Sequence, residues 1–159
     1  VIPPVGGDTL FADMYAAYEG LDEKIKAKID DAKAVHVWPD AWVNMAMKSQ
    51  NLDQDEFWRR YPNPAHPVVR KHPQTGRRSL FVNTAFTRHI VGMEKSESDA
   101  LLAFLYNQAT IPEYQCRFRW RKNSVAFWDN RCTQHYAAAD FYPQKRVVER
   151  ITISGDKPV

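Results

Sequence analysis

Apolar and polar positions alternate most regularly in the last third of the chain. From Tyr114 to Arg121, Cys116, Phe118 and Trp120 interleave with Arg117, Arg119 and Arg121. That period of two predicts a strand with one apolar and one basic face. Ser124 to Trp128 predicts a second strand after a Lys122-Asn123 turn, and Lys145 to Ser154, rich in Val, Ile and Thr, predicts a third. Upstream, Gly6-Gly7-Asp8-Thr9 is a turn signal, followed by a stretch that is extended at Thr9 to Phe11 and helical thereafter, up to Gly20. Asp22-Glu23 followed by Lys24, Lys26 and Lys28 opens a short amphipathic helix, and Val35 to Val37 reads as a brief strand.

The pattern then weakens. Residues 38–64 are polar, aromatic-dotted and irregular, with one short helix expected near Asp53 to Arg60. A poorly patterned stretch of that length reads as a lid-like excursion. A hairpin follows, Val68 to His72 and Ser79 to Asn83 flanking the breakers Pro73-Gln74-Thr75-Gly76. Ser96-Glu97-Ser98-Asp99 resembles a helix N-cap, with Leu101, Leu102, Phe104 and Leu105 as the apolar face of its helix. Short turn-separated strands with helices inserted rather than alternating predict a mostly β fold, an antiparallel sandwich or jelly roll, in one domain without internal repeats.

Composition narrows the function classes. The 159 residues suffice for one core, and no apolar run approaches the roughly 20 residues of a membrane span. The net charge of +3 is mild and its basic residues are scattered. The densest basic stretch, Arg117 to Lys122, could contact nucleic acid through phosphates and stacking. Its alternation is read instead as a strand with a solvated basic face, so neither a nucleic-acid nor a membrane partner is expected. Cys116 and Cys132 fit neither a zinc spacing nor a disulfide framework. Both are read as small core residues of a reducing compartment, the cytoplasm by default.

Candidate chemistry gathers near the C-terminus. His135 lies eleven residues before Arg146, with Arg150 four residues further on. In a strand, Arg146, Val148 and Arg150 share one face, and the two guanidinium groups sit on the order of 13 Å apart. Clustered guanidinium groups near aromatic residues are costly unless anions neutralise them, and each fork can grip a carboxylate or sulfonate. Nearby acids such as Asp140 and Glu149 could pair with them instead. Spacing alone leaves both readings open.

Several pieces, in chain order, resemble the taurine dioxygenase family. They are Gly6-Gly7-Asp8-Thr9-Leu10-Phe11, His66-Pro67-Val68-Val69-Arg70, Phe81-Val82-Asn83, Trp128-Asp129-Asn130-Arg131 through His135-Tyr136-Ala137, Asp140, Arg146 with Arg150, and Gly155-Asp156-Lys157-Pro158. The family comprises Fe(II)- and 2-oxoglutarate-dependent dioxygenases and includes alkylsulfatases and aryloxyalkanoate dioxygenases. The resemblance implies a double-stranded β-helix, and 1–159 as the C-terminal majority of a single such domain, an incomplete jelly roll. It implies that His135 is the distal histidine of a 2-His-1-carboxylate iron site. Arg146 and Thr9 would bind the far carboxylate of 2-oxoglutarate. Arg150 would hold the substrate's sulfonate or sulfate, and Phe86 would line the substrate pocket. Trp38 and Trp42 are candidates for the lid lining.

The sequence departs from the family at the metal. The first two ligands form a His-x-Asp motif upstream of the Gly-Gly-Asp-Thr segment, yet none of His36, His66, His72, His89 and His135 is followed two residues later by an acid. With the non-Met start, this leads us to expect that the natural protein continues N-terminally. The implied activity uses Fe(II), 2-oxoglutarate and O2 to hydroxylate the carbon beside a sulfonate or sulfate, releasing sulfite or sulfate, succinate and CO2. The expected partners are a small anionic organic substrate and further copies of the chain, as a dimer or tetramer. Two other readings are a metal-free jelly-roll module binding a small anionic ligand, and a nucleic-acid contact through the basic aromatic strand.

Overall fold

The computed structural model describes all residues from Val1 to Val159. Strand β1 (Thr9–Asp13) runs directly into helix α1 (Met14–Glu19), and Asp13 serves as the hinge. Its carboxylate accepts hydrogen bonds from the Tyr15 and Ala16 backbone N–H groups, which caps α1. Helix α2 (Glu23–Ile29) is capped in the same way by Asp22. Strand β2 (Lys33–His36) leads to helices α3 (Asp40–Gln50) and α4 (Gln54–Arg60), then to strands β3 (Ala65–Pro67), β4 (Val69–Lys71), β5 (Arg78–Leu80) and β6 (Thr87–Ile90). Helix α5 (Lys95–Gln108), a 3-10 turn (Pro112–Tyr114) and strands β7 (Gln115–Phe118) and β8 (Thr133–Ala137) complete the order.

The strands form three small antiparallel units, β7-β1-β8, β3-β2-β6 and the β4-β5 hairpin, which do not close into a barrel. One core of 15 buried residues joins them. Met14 and Ala17 of α1, which packs on β5, share this core with Val69 and Leu80 of the hairpin, and Leu101, Leu102 and Leu105 join it from α5. Their spacing of three to four puts one face of α5 against that core. No helix is long and apolar enough to cross a membrane.

Several expectations need correction. The 38–64 excursion is helical over most of its length: α4 was foreseen, but α3 was not. Its start, Pro39, makes no side-chain capping bond, so it lacks the usual sequence signal. Helix α5 begins after Glu94, and the Ser98 hydroxyl lies inside it, accepting from the Ile90 N–H. Phe104 faces outward rather than into the core, and Cys116 is exposed rather than a core residue.

Neither Ser124 to Trp128 nor Lys145 to Ser154 forms a strand. Phe127 is 88% exposed and Ile151 is 93% exposed. Strand propensity measures fit to a paired, half-buried surface, and no neighbouring strand lies beside these segments. Their one ladder-like contact is a reciprocal pair of backbone bonds between Val1 and Val147, 2.9 and 2.8 Å long.

Candidate active site

Strand β1 organises the site. Its register sets Thr9 opposite Phe118 on one side and Ala137 on the other, and Phe11 opposite Cys116 and His135. Directly opposed residues project to the same face of a sheet, so Thr9, Phe11, Phe118 and His135 share one face. Ala12 turns the other way, into the core. His135 therefore lies within β8, at its centre.

An aromatic corner holds the imidazole. Trp128 stands 5.0 Å from the Phe11 ring and 5.2 Å from His135. Burial by these rings, reinforced by the Arg150 guanidinium, lowers the His135 pKa below its ordinary value. The residue is nonetheless exposed, and neither ring nitrogen has a hydrogen-bond partner in the chain. A neutral imidazole with a free nitrogen is the form that ligates a metal.

The turn before β8 is fixed by charge. Arg131 forks onto Asp129 at 2.9 and 2.7 Å, and His72 reaches the same carboxylate at 3.0 Å. Arg131 foremost, with His72, holds Asp129 well below the usual carboxylate range. The Cys132 carbonyl then accepts from the Met14 N–H, which ties the turn to α1. His72, Asp129 and Cys132 are the one group in the chain with metal-ligand composition and proximity. Their hydrogen bonds argue against that role. His72 Nδ1 accepts from the backbone N–H groups of Gln74 and Thr75, so Nε2 carries the proton it gives to Asp129 and has no lone pair for a metal.

Arg146 reaches the site from outside the sheet. Its Nε donates to the Gly7 carbonyl at 2.8 Å and its Nη2 to Thr9 Oγ1 at 3.3 Å. The double glycine makes that approach possible. Gly6 and Gly7 both have positive φ, and a Cβ on Gly7 would come within 2.9 Å of Arg146 Cδ. Asp140 accepts from the Gly7 N–H and pairs with Arg117, which also bridges to Asp8. Asp140 is thus committed elsewhere, and neither Arg146 nor Arg150 has a carboxylate partner. The structural pairing with Asp140 or Glu149 that spacing left open is not realised.

The family described as "Taurine catabolism dioxygenase TauD, TfdA family" matches residues 1–152. The chain belongs to that family. It is 37% identical over 163 residues to the alpha-ketoglutarate-dependent sulfate ester dioxygenase of Pseudomonas putida, covering 100% of this chain and 54% of that protein. It superposes with a TM-score of 0.73 on the crystal structure of a taurine dioxygenase from Burkholderia xenovorans, at 38% identity, covering 90% of this chain and 44% of that one. A crystal structure of AAD-2 in complex with Mn(II) and N-oxalylglycine gives a TM-score of 0.76 at 31% identity, covering 99% and 61%. The chain spans about half the length of the curated relatives it matches. The jelly-roll expectation agrees with these TauD-type neighbours, although the sheets of this family member stay separate.

Within this TauD/TfdA-family chain, the structure brings together Thr9, Arg146, His135 and Arg150 and leaves Phe86 apart. Phe86 precedes β6, and its ring pairs with Trp42 of α3 at 5.4 Å rather than with the rings around His135. Trp38 pairs with Tyr61 at 6.4 Å, within the same helical excursion. The polar groups around Thr9 and Arg146 suit a small carboxylate. For iron, the residues of this chain supply His135 alone at the site face, which does not complete a three-ligand set. One member of the arrangement escaped the sequence reading. Trp120 donates from its indole Nε1 to Thr9 Oγ1 at 2.9 Å. The period-two alternation could have revealed it, because Trp120 follows Phe118 on the face that carries Thr9.

Proposed function

We propose that this chain forms the 2-oxoglutarate-binding wall, and carries one metal ligand, of an Fe(II)- and 2-oxoglutarate-dependent dioxygenase. The reaction would hydroxylate the carbon next to a sulfonate or sulfate group, as in taurine, an alkylsulfonate or an alkyl sulfate. Its products would be sulfite or sulfate, succinate, CO2 and the aldehyde left when the hydroxylated substrate breaks down. The observation that carries the reading is the convergence of a buried threonine hydroxyl and an arginine without a carboxylate partner beside a neutral, unbonded histidine. The names of the sulfate ester and taurine relatives support the substrate class.

When bound, the metal would activate O2, the oxidant, while 2-oxoglutarate would supply two electrons as it is converted to succinate and CO2. The residues of this chain bind and orient. Thr9 and Arg146 hold the distal carboxylate of 2-oxoglutarate, which fixes the direction in which its 2-oxo acid end points. Arg150 grips the anionic end of the substrate, setting which carbon faces the reacting centre. Phe11 and Trp128 pack against the His135 ring and hold its orientation. Phe86, which pairs with Trp42 of α3 apart from this wall, would line the far side of the substrate pocket. We place the protein in the cytoplasm, consistent with two unpaired cysteines, and as a homo-oligomer.

The test is a separation of two arginines in the full-length protein. Arg146→Ala should raise the 2-oxoglutarate Kd roughly 10- to 100-fold, the scale of losing hydrogen bonds to a charged group. Arg150→Ala should raise the KM for taurine or an alkyl sulfate while sparing 2-oxoglutarate. If each variant lost both affinities together, the roles would be wrong. Tight dicarboxylate or sulfonate binding without iron-dependent turnover would favour a metal-free binding module instead.

A further inference from the structure

We propose that Trp120 is a positioning residue that sets the polarity of the Thr9 hydroxyl and so makes it a donor to a bound carboxylate. The inference rests on the reading of Thr9 and Arg146 as the 2-oxoglutarate wall.

A threonine oxygen has two lone pairs and one hydrogen. Trp120 Nε1 and Arg146 Nη2 both point at Thr9 Oγ1, at 2.9 and 3.3 Å. Indole and guanidinium can only donate, so both contacts use lone pairs. The hydroxyl hydrogen is left as the one group Thr9 can offer, and no acceptor in the chain takes it. Thr9 is 4% exposed, so bulk water does not compete freely for it. Without the indole N–H, one lone pair would be open and the hydroxyl could rotate to accept.

The chain of donors also strengthens the last link. An N–H donating into a hydroxyl polarises the hydroxyl toward its own acceptor, and that acceptor gains further from carrying charge. Arg146 is prepared in parallel. A guanidinium has five N–H donors, of which Arg146 spends one on Gly7 and one on Thr9. The remainder, with the Thr9 hydrogen, form a purely donating surface suited to an anion and hostile to a neutral acceptor-poor ligand.

The ring of Trp120 is held independently of this bond. It packs edge-on against Phe118 with centroids 4.9 Å apart, and Phe118 is opposite Thr9 in the β7–β1 register. Trp120→Phe therefore removes the N–H while keeping an aromatic ring against Phe118. A merely structural tryptophan would lose little by that change, whereas a positioning one would lose its effect on the ligand.

The experiment is a double-mutant cycle on the full-length protein loaded with redox-silent Zn(II), read by calorimetric titration of 2-oxoglutarate. Trp120→Phe should raise the Kd about 3- to 10-fold, the scale of one hydrogen bond. In a Thr9→Val background the same change should alter the Kd by less than about 2-fold, because no hydroxyl is left to orient. Thr9→Ser should restore the sensitivity. Equal weakening in both backgrounds, or none in either, overturns the proposal while leaving the wall itself intact. If the native protein bound no 2-oxoglutarate, the functional reading would fall and the proposal with it. A readout that does not depend on Trp120→Phe folding is the Trp120 indole N–H resonance. It should move when 2-oxoglutarate binds the native and Thr9→Ser proteins, and a resonance that stays still overturns the proposal.

Discussion

The first two-thirds of the chain and the last third are held by different forces. Up to Gln108, buried apolar residues from α1, the β4-β5 hairpin and α5 build the common core. Beyond Gln108 the only buried residue is Ala138. Yet that last third carries His135, Arg146, Arg150, Trp120 and Trp128. The site residues are therefore held onto β1 outside that core: by the β7 and β8 ladders, by the Asp129–Arg131 fork, by the Arg146 bonds to Gly7 and Thr9, and by the ring contacts of Trp120 and Trp128. Strand β1 belongs to both regimes, with Ala12 in the core and Thr9 and Phe11 at the site. Such a division separates stability from chemistry, and substitutions should show it.

The largest effect should come from the core. Leu80 is almost fully buried between α1 and its own hairpin, and Leu80→Ala should cost about 2–5 kcal/mol in urea unfolding. Phe127, larger but 88% exposed, should change stability by less than about 0.5 kcal/mol when replaced by Ser in this chain. A comparable loss at both positions would mean that the 124–128 segment is packed after all, and the division between the two regions would not stand.

How much of this was legible in the sequence divides along the same line. Helices with local signals were found: Asp22 caps α2, and the leucines of α5 repeat at helical spacing. Helix α3 was missed because Pro39 offers no capping side chain. Strand β8 was missed because Thr133 to Ala137 carries no apolar alternation; its pairing with β1 decides it. The segments with the strongest strand composition, 124–128 and 145–154, are not strands, because pairing requires a neighbour that composition cannot supply. At the site, Thr9, Arg146, His135 and Arg150 followed from the family resemblance, and the structure brings them together. Trp120 did not follow, since its role is a single N–H directed at a hydroxyl across two strands.

A second prediction uses acid to probe the packed part. His36 is buried beside Phe81, 5.8 Å away, with Nε2 on the Thr87 hydroxyl. Burial, with the nearby His66 and Arg88, lowers its pKa to about 4. In the unfolded chain it titrates near 6.5. Between those values the unfolded state binds more protons, so stability rises with pH across that window. The contribution is complete above about pH 6.5 and is lost as pH falls toward 4, amounting to on the order of 3 kcal/mol. His36→Gln should flatten the stability profile between pH 6.5 and 4.5 without removing the slope, because His66 is shifted in the same direction. An unchanged profile would mean that His36 is solvated.

The smallest effect on stability should have the most specific effect on the site. Gly7 and Gly92 have nearly the same left-handed φ, 73° and 75°, so Ala at either should cost roughly 1 kcal/mol of stability through backbone strain. Their surroundings differ. A Cβ at Gly92 meets nothing within 4 Å, whereas at Gly7 it would stand 2.9 Å from Arg146 Cδ and 3.1 Å from Pro3 Cγ. Arg146 cannot move aside freely, because Gly7 and Thr9 both anchor its guanidinium. Gly7→Ala should therefore raise the 2-oxoglutarate Kd about 5-fold or more, on the scale of disturbing a charge-assisted hydrogen bond, while Gly92→Ala leaves it unchanged at a similar stability loss. Equal binding by the two variants would show that Arg146 reaches the carboxylate without the glycine turn. A loss confined to Gly7→Ala would show that a site held by polar contacts fails in its geometry before the fold fails in its stability.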